Sequence, residues 1–153
     1  MGGPPTGRER AMPQARPTAL SSSLHLLHRA SHRADSLFAG LVDNALTPRQ
    51  FAVLQAVAEA DGLSQTGIMA ATGIDRSSTA DLVRRLVSHG WLQRRRTKRD
   101  ARLYAVRLTP AGRRVWSKAV PAVRAIEETL LSSLTMAERV AFVKALAAIA
   151  ENL

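Results

Sequence analysis

The sequence contains no cysteine, which excludes disulfide bonds, thiolate metal ligands and a thiol redox switch. Aromatic residues make up only 4% of the 153 residues, so few side chains are available to stack on unpaired bases. Acidic residues are also scarce, with 12 Asp and Glu against 22 Lys and Arg and a net charge of +10. No run of about 18 apolar residues occurs, and we therefore expect no membrane-spanning helix. The excess of positive charge indicates a polyanionic partner, most simply nucleic acid.

Motifs of common enzymes are absent too. There is no Gly-Xaa-Ser-Xaa-Gly elbow, no phosphate-cradling glycine loop and no His-Glu-Xaa-Xaa-His, so we expect neither an enzyme nor a bound cofactor. Residues 1–19 lack the apolar run of a secretory signal, which together with the lack of cysteine favours a cytoplasmic protein. Residues 1–17 are rich in Gly, Pro and Arg, a composition that predicts a flexible basic arm.

Positive charge is concentrated in residues 75–102, which hold nine Arg and Lys and three Asp, six of the ten net positive charges. A charge run is usually a solvated surface, and that is the plain alternative here. The concentration on one segment favours a nucleic-acid contact instead, because a merely soluble surface interleaves the two signs.

Capping residues in this region predict two short helices joined by a turn. Ser64 is suited to cap the first helix, and Gly73 supplies the turn. Asp75 is suited to cap the second helix, which extends to about His89. A β-hairpin is expected to follow, with strands at residues 91–95 and 103–108.

The residues between these strands, 96–102, form a basic loop. In the second strand Tyr104, Val106 and Leu108 alternate with Leu103, Ala105 and Arg107, a pattern that predicts one face on the helices and one face in solvent. Two helices followed by such a hairpin are the pattern of a winged helix-turn-helix, which grips duplex DNA.

Helices are predicted on both sides of this module. Apolar residues at three- and four-residue steps indicate a long helix over residues 18–44. Thr47, Pro48 and Gln50 form a capping-box start for the next helix. Later in the chain Thr109-Pro110 repeats the cap-plus-proline start, and a second capping box opens a terminal helix at residues 135–138.

The expected fold is therefore mostly α with a small β-hairpin wing. Residues 47–108 are predicted to form a winged helix-turn-helix DNA-binding domain, and residues 18–46 and 109–153 a helical dimerisation region. A helix as long as the first one needs neighbours, and we expect two copies of the chain to provide them.

A helical wheel of residues 75–89 separates a buried stripe, Thr79, Leu82, Val83 and Leu86, from an opposite face with Ser77, Asp81 and Arg84. Arg84 has the reach to fork onto a guanine edge. Asp81 could accept from cytosine, but pairing with Arg84 or Arg85 is favoured. The predicted DNA-binding residues are Ser64, Gln65, Thr66, Arg76, Ser77, Ser78, Asp81, Arg84, Arg85, Arg96, Lys98, Arg99, Asp100 and Arg102.

Taken together, these residues resemble the MarR (multiple antibiotic resistance regulator) family of winged helix-turn-helix regulators. The resemblance is carried by Leu46-Thr47-Pro48-Arg49-Gln50-Phe51, Gly73-Ile74-Asp75-Arg76-Ser77-Ser78, Leu82-Val83-Arg84-Arg85-Leu86, Gly90-Trp91-Leu92, Asp100-Ala101-Arg102 and Leu108-Thr109-Pro110-Ala111-Gly112. It implies a homodimer that binds double-stranded DNA at a palindromic operator and a repressor that is released by a small-molecule effector. A non-specific architectural DNA-binding protein is the alternative from the charge alone.

The resemblance also places an effector site between the dimer helices and the winged domain. The candidate ligand-binding residues are His25, His28, Arg29, His32, Arg33 and Trp116. Arginine could hold an anionic, aromatic ligand while tryptophan stacks on it, or the three histidines could bind zinc in a metal-responsive regulator. The alternative to ligand binding is that the histidines lie on a polar face of the helix and that Trp116 is a core residue.

Overall fold

The computed structural model describes residues 22–43, 45–96 and 104–151, and within them six helices and two strands follow in order. These elements are α1 (Ser23–Leu41), α2 (Pro48–Glu59), α3 (Gln65–Thr72), α4 (Arg76–Ser88), β1 (Leu92–Arg96), β2 (Tyr104–Leu108), α5 (Pro110–Leu130) and α6 (Met136–Glu151). The predicted fold class and order of elements are confirmed.

The predicted arm at residues 1–17 and most of the basic loop lie outside the described residues. The contacts divide the chain into two units, residues 1–32 and 33–153.

The predicted helix starts are confirmed at the level of hydrogen bonds. The backbone N–H of Gln50 donates to Oγ1 of Thr47 at 3.2 Å, and the N–H of Thr47 donates to Oε1 of Gln50 at 2.9 Å. Thr109 caps α5 by accepting from the N–H of Gly112 at 3.0 Å. The backbone N–H of Thr135 donates to the carboxylate of Glu138 at 2.8 Å, as expected for a capping box at the start of α6.

The core of the second unit lies between α2, α3, α4, the hairpin and α5. Its fully buried side chains are Val53, Leu54, Val57, Ile68, Thr79, Val83, Leu86, Leu92 and Val106. At the carboxyl end of α1, Phe38 joins this core and meets Phe51 edge-on, with ring centroids 6.3 Å apart. Leu41, three residues further along the apolar series of α1, is exposed.

The two strands pair antiparallel, with Leu92 opposite Leu108 and Arg96 opposite Tyr104. The expectation of one packed face and one solvent face is wrong in detail. Ala105 is buried beside Val106, whereas Tyr104 is half exposed. The alternation is kept next to the base of the hairpin, where exposed Arg107 lies between buried Val106 and Leu108, and it fails farther out at Ala105 and Tyr104.

A third backbone segment supports the hairpin. The N–H of Val106 donates to the carbonyl of Leu63 at 2.7 Å, so the loop between α2 and α3 forms an isolated antiparallel bridge with β2. Beside it, Nη1 of Arg107 lies 3.2 Å from Oδ2 of Asp61. These contacts fix the wing relative to the helix-turn-helix.

Candidate nucleic-acid interface

Asp75 fixes the start of α4. Its Oδ1 accepts from the backbone N–H of Ser78 at 3.0 Å and from the hydroxyl of Ser77 at 2.8 Å. Hydrogen bonds from Ser78, and then from Ser77, hold the pKa of Asp75 well below its ordinary value. The carboxylate therefore stays charged at the positive end of the helix dipole, which stabilises the first turn.

One side of α4 is anchored in the core. Thr79, Val83 and Leu86 are buried, and the hydroxyl of Thr79 donates to the carbonyl of Ile74 at 3.1 Å. The helix packs against α2, α3 and β1. Of the stripe predicted on the helical wheel, only Leu82 is half-buried rather than fully buried. The opposite side of α4 therefore faces solvent.

That solvent side carries a small ion-pair network. Asp81 accepts from Arg84, and its other carboxylate oxygen lies 2.7 Å from Nε of Arg85. The structure thus shows the pairing that the sequence favoured for Asp81. The Arg84 side chain remains 74% exposed in this arrangement. Asp81 consequently limits the rotamers of two guanidinium groups while leaving them open to an anion. Arg76 and Ser77, near the start of the helix, are exposed as well.

The start of α3 is organised by Ser64, whose Oγ accepts from the N–H of Gly67 at 3.0 Å. The plain capping role considered for Ser64 is therefore shown. Gln65 is half-buried and Thr66 is exposed. Contacts of all three residues with a phosphate stay a prediction.

The wing adds cations that the sequence-based site did not include. Arg94 and Arg95 are exposed on β1 next to Arg96. Their charge was included in the positive charge of residues 75–102, but they were not among the predicted DNA-binding residues because they lie in the predicted strand. The Arg96 guanidinium lies 5.9 Å from the ring centroid of Tyr104, so the aromatic face orients it. The sequence did contain a signal for Arg94 and Arg95, because the outer half of β1 is polar on both of its faces and therefore could not be packed against the helices.

The remaining predicted wing residues lie outside the described residues. These are Lys98, Arg99, Asp100 and Arg102. Their roles stay predictions.

The base of the wing is joined to α5 through Thr109. Its hydroxyl donates to the carbonyl of Gly90 at 2.6 Å, and its backbone N–H donates to the carbonyl of Trp91 at 3.0 Å. Trp91 in turn donates its N–H to the carbonyl of Leu86, at 2.9 Å, on the last turn of α4. A short chain of backbone contacts thus links α4, the wing and α5.

The arrangement of a helix pair, an exposed basic helix face and an arginine-bearing hairpin matches known regulators. The sequence profile of the MarR family matches residues 46–103. The HTH-type transcriptional repressor NicR of Pseudomonas putida is 32% identical over 118 residues, which cover 76% of this chain and 75% of that protein. The chain belongs to the MarR family. It is accordingly a DNA-binding transcriptional regulator.

Solved structures of similar proteins agree with this placement in the MarR family. BpsR of Bordetella bronchiseptica, whose DNA binding is regulated by 6-hydroxynicotinic acid, is 32% identical, with a TM-score of 0.73 over 82% of this chain and 96% of that one. The PcaV regulator of Streptomyces coelicolor, solved with its natural ligand, is 29% identical, with a TM-score of 0.81 over 88% of this chain and 96% of that one.

The predicted effector residues lie on two helices. His25, His28, Arg29 and His32 belong to the part of α1 in the first unit, and Arg33 follows in the second unit. Trp116, on α5, is partly buried against the core and donates its indole N–H to Oε1 of Gln55 at 2.7 Å. Trp116 therefore has the core contact that was its plain alternative.

Two absences concern metals and membranes. Within residues 22–43, 45–96 and 104–151, no three His, Cys, Asp or Glu side chains are grouped to hold a metal ion. In the same part of the chain no helix is both long and apolar enough to cross a bilayer.

Proposed function

We propose that this MarR-family regulator acts as a homodimeric repressor that binds a palindromic operator and is released by a small organic acid. The observation that carries the proposal is the solvent side of α4. There Asp81 orients Arg84 and Arg85 outward while the opposite side of the helix is locked into the core. A rigid helix with oriented guanidinium groups suits direct readout of guanine in a major groove.

The wing would supply a second, less selective contact. Three successive exposed arginines on β1 lead toward the basic loop, and such charges suit phosphates or a narrow minor groove. Affinity should therefore fall steeply with salt.

A dimer is supported by apolar surface that a single chain leaves open. α6 has no buried residue, although Met136, Val140, Phe142 and Val143 all lie on it. A helix that is apolar around its circumference is normally covered. In the first unit the leucines of α1 at positions 24, 26 and 27 are exposed as well. We propose that a second copy covers each of these surfaces.

Release by a ligand is supported by the relatives. BpsR responds to 6-hydroxynicotinic acid, and PcaV was solved with its natural ligand. The identity of 32% to BpsR makes a heteroaromatic or aromatic carboxylate the first class to test.

The DNA-binding part of the proposal is tested by selecting duplexes from a random library with the full-length protein. We expect one inverted repeat to be enriched. Fluorescence anisotropy then compares that duplex with random DNA for wild type, Arg84→Ala and the control Arg113→Ala on α5. Arg84→Ala should lower the ratio of specific to random affinity about ten-fold or more, because a forked arginine–guanine contact discriminates by about 1–3 kcal/mol.

The control should keep the wild-type ratio, since Arg113 is exposed on α5 and outside the predicted reading face. An unchanged ratio for Arg84→Ala would show that the reading face is assigned wrongly. Enrichment of no sequence at all would favour an architectural protein that binds DNA through charge alone.

A further inference from the structure

The solvent side of α4 combines three arginines with a single acid. Arg76, Arg84 and Arg85 are exposed, and Asp81 is the only Asp or Glu between Arg76 and Ser88. Both oxygens of its carboxylate are engaged, since Oδ1 accepts from Arg84 and Oδ2 lies 2.7 Å from Nε of Arg85. The wing differs in this respect, because within the described part of the chain the exposed arginines of β1 form no ion pair with a carboxylate.

The Asp81 carboxylate opposes DNA binding that depends on charge alone. Binding to random DNA is held by cations on phosphates, and a carboxylate close to those phosphates is repelled by them. The side chain of Asp81 is only 34% exposed, so water screens its charge incompletely. When Arg84 or Arg85 leaves Asp81 for a phosphate, the carboxylate loses a partner in the negative field of the duplex.

A base edge in the major groove offers Arg84 a different exchange. Guanine presents the acceptors O6 and N7, which a guanidinium binds with two directed hydrogen bonds. Guanine carries no net charge, so it does not repel Asp81 as a phosphate does. Arg85 remains beside the carboxylate, and the cytosine paired with that guanine offers a further donor at N4. The release of Arg84 from Asp81 is therefore less costly at a guanine than at a phosphate.

We propose that Asp81 is a specificity-determining residue that acts by exclusion, because it withholds Arg84 and Arg85 from the phosphates of random DNA. This role rests on the proposed function and adds to it a positioning residue that suppresses binding to competing sites. Specificity is a difference between two affinities, and a group that penalises the wrong partner increases it as surely as a new contact to the right one. Such a penalty matters because a regulator meets random sites in vast excess.

Fluorescence anisotropy of full-length wild type and Asp81→Asn tests this role with the selected duplex and with a random duplex, over a series of salt concentrations. Asn has nearly the shape of Asp and no charge. Asp81→Asn should bind random DNA about three-fold to ten-fold more tightly at low salt and the selected duplex about two-fold more tightly at most. On random DNA the slope of log affinity against log salt should steepen by about 0.9 for each arginine that reaches a phosphate.

The matched control is Asp43→Asn, which removes the same charge from an exposed residue that lies 3.9 Å from a cation, Lys118, outside α4. It should change the affinity for random DNA less than about two-fold, because a distant exposed charge is screened by salt. Asp81→Glu keeps the charge within reach of both arginines and should restore most of the wild-type ratio. In protein that already carries Arg84→Ala and Arg85→Ala, Asp81→Asn should have no more effect than the control.

Three results would overturn the inference. The first is an equal change in random-DNA affinity for Asp81→Asn and the control, and the second is an Asp81→Glu protein, folded by circular dichroism, that behaves like Asp81→Asn. The third is a ratio that falls only because the selected duplex binds more weakly, which would make Asp81 a direct contact to a base. Each of these leaves the proposed function intact if wild type enriches one inverted repeat and Arg84→Ala lowers the ratio. Enrichment of no sequence refutes the proposed function and the role of Asp81 with it.

Discussion

At the scale of single residues, two carboxylates on or beside α4 serve different ends. Asp75 is tied to backbone and hydroxyl donors and stabilises the helix start. Asp81 is tied to arginines and orients groups that are proposed to meet DNA. The difference follows from position: the first lies at the positive end of the helix dipole, and the second lies three and four residues before its partners.

The pKa of Asp75 leads to a testable dependence of stability on pH. Because the folded-state pKa is lowered from 3.8, the stabilisation is complete above that value and is lost as the pH falls below it. Asp75→Asn keeps an acceptor oxygen but does not titrate. Urea unfolding between about pH 6 and pH 3 should therefore show a smaller acid-induced loss of unfolding free energy for Asp75→Asn than for wild type. Equal losses would mean that Asp75 does not contribute to acid sensitivity.

At the scale of elements, the close approach of α5 to the base of the wing is the tightest constraint. A Cβ built on Gly112 would lie 1.9 Å from the carbonyl oxygen of Trp91 and 2.7 Å from its carbonyl carbon. Only glycine fits this approach without moving backbone. Gly112 is needed here because of packing, since its backbone is ordinary helix.

Gly112→Ala should therefore separate α5 from Trp91 and lower the unfolding free energy by about 3 kcal/mol or more, as severe overpacking does. The control is Gly40→Ala in α1, where a Cβ would meet no atom within 4 Å among the described residues. That change should raise stability by about 0.5–1 kcal/mol, the usual gain inside a helix. Urea unfolding measures both. A loss of unfolding free energy well below about 3 kcal/mol for Gly112→Ala would show that α5 can move away from the backbone of Trp91 at little cost.

How far elements could be predicted depends on how local their signals are. The starts of α2 and α5 were foreseen because cap, proline and box residues lie within four positions of one another. The burial of Ala105 in β2 was not foreseen, and neither was the backbone bridge between Val106 and Leu63, more than forty residues earlier in the chain. Alternation of apolar and polar residues within a strand predicts which face is buried, but it cannot predict pairing with a segment that is distant in the sequence.

At the scale of the whole molecule, the exposed apolar residues of α6 lead to a prediction about assembly. Val143 is 56% exposed, and Val143→Glu would place a charge on the surface that a second copy is proposed to cover. Analytical ultracentrifugation should show a shift from dimer to monomer. Affinity for the selected duplex should fall at least about ten-fold, because two linked half-site contacts become independent.

The matched control is Lys144→Glu, at an exposed polar position of the same helix. It should remain dimeric. A dimeric Val143→Glu protein would exclude this part of α6 from the interface, and a monomeric wild type would refute the homodimer itself.

By itself, the sequence determined the helix starts, the order of elements, the location of the positive charge and the family. Each of these depends on residues that are close together in the chain, so local hydrogen bonding and composition are enough. Only the tertiary structure decided that Trp91 joins α4, the wing and α5, and that Trp116 is held by Gln55. These features bring together residues that are distant in sequence, and their contacts exist only once the core has packed.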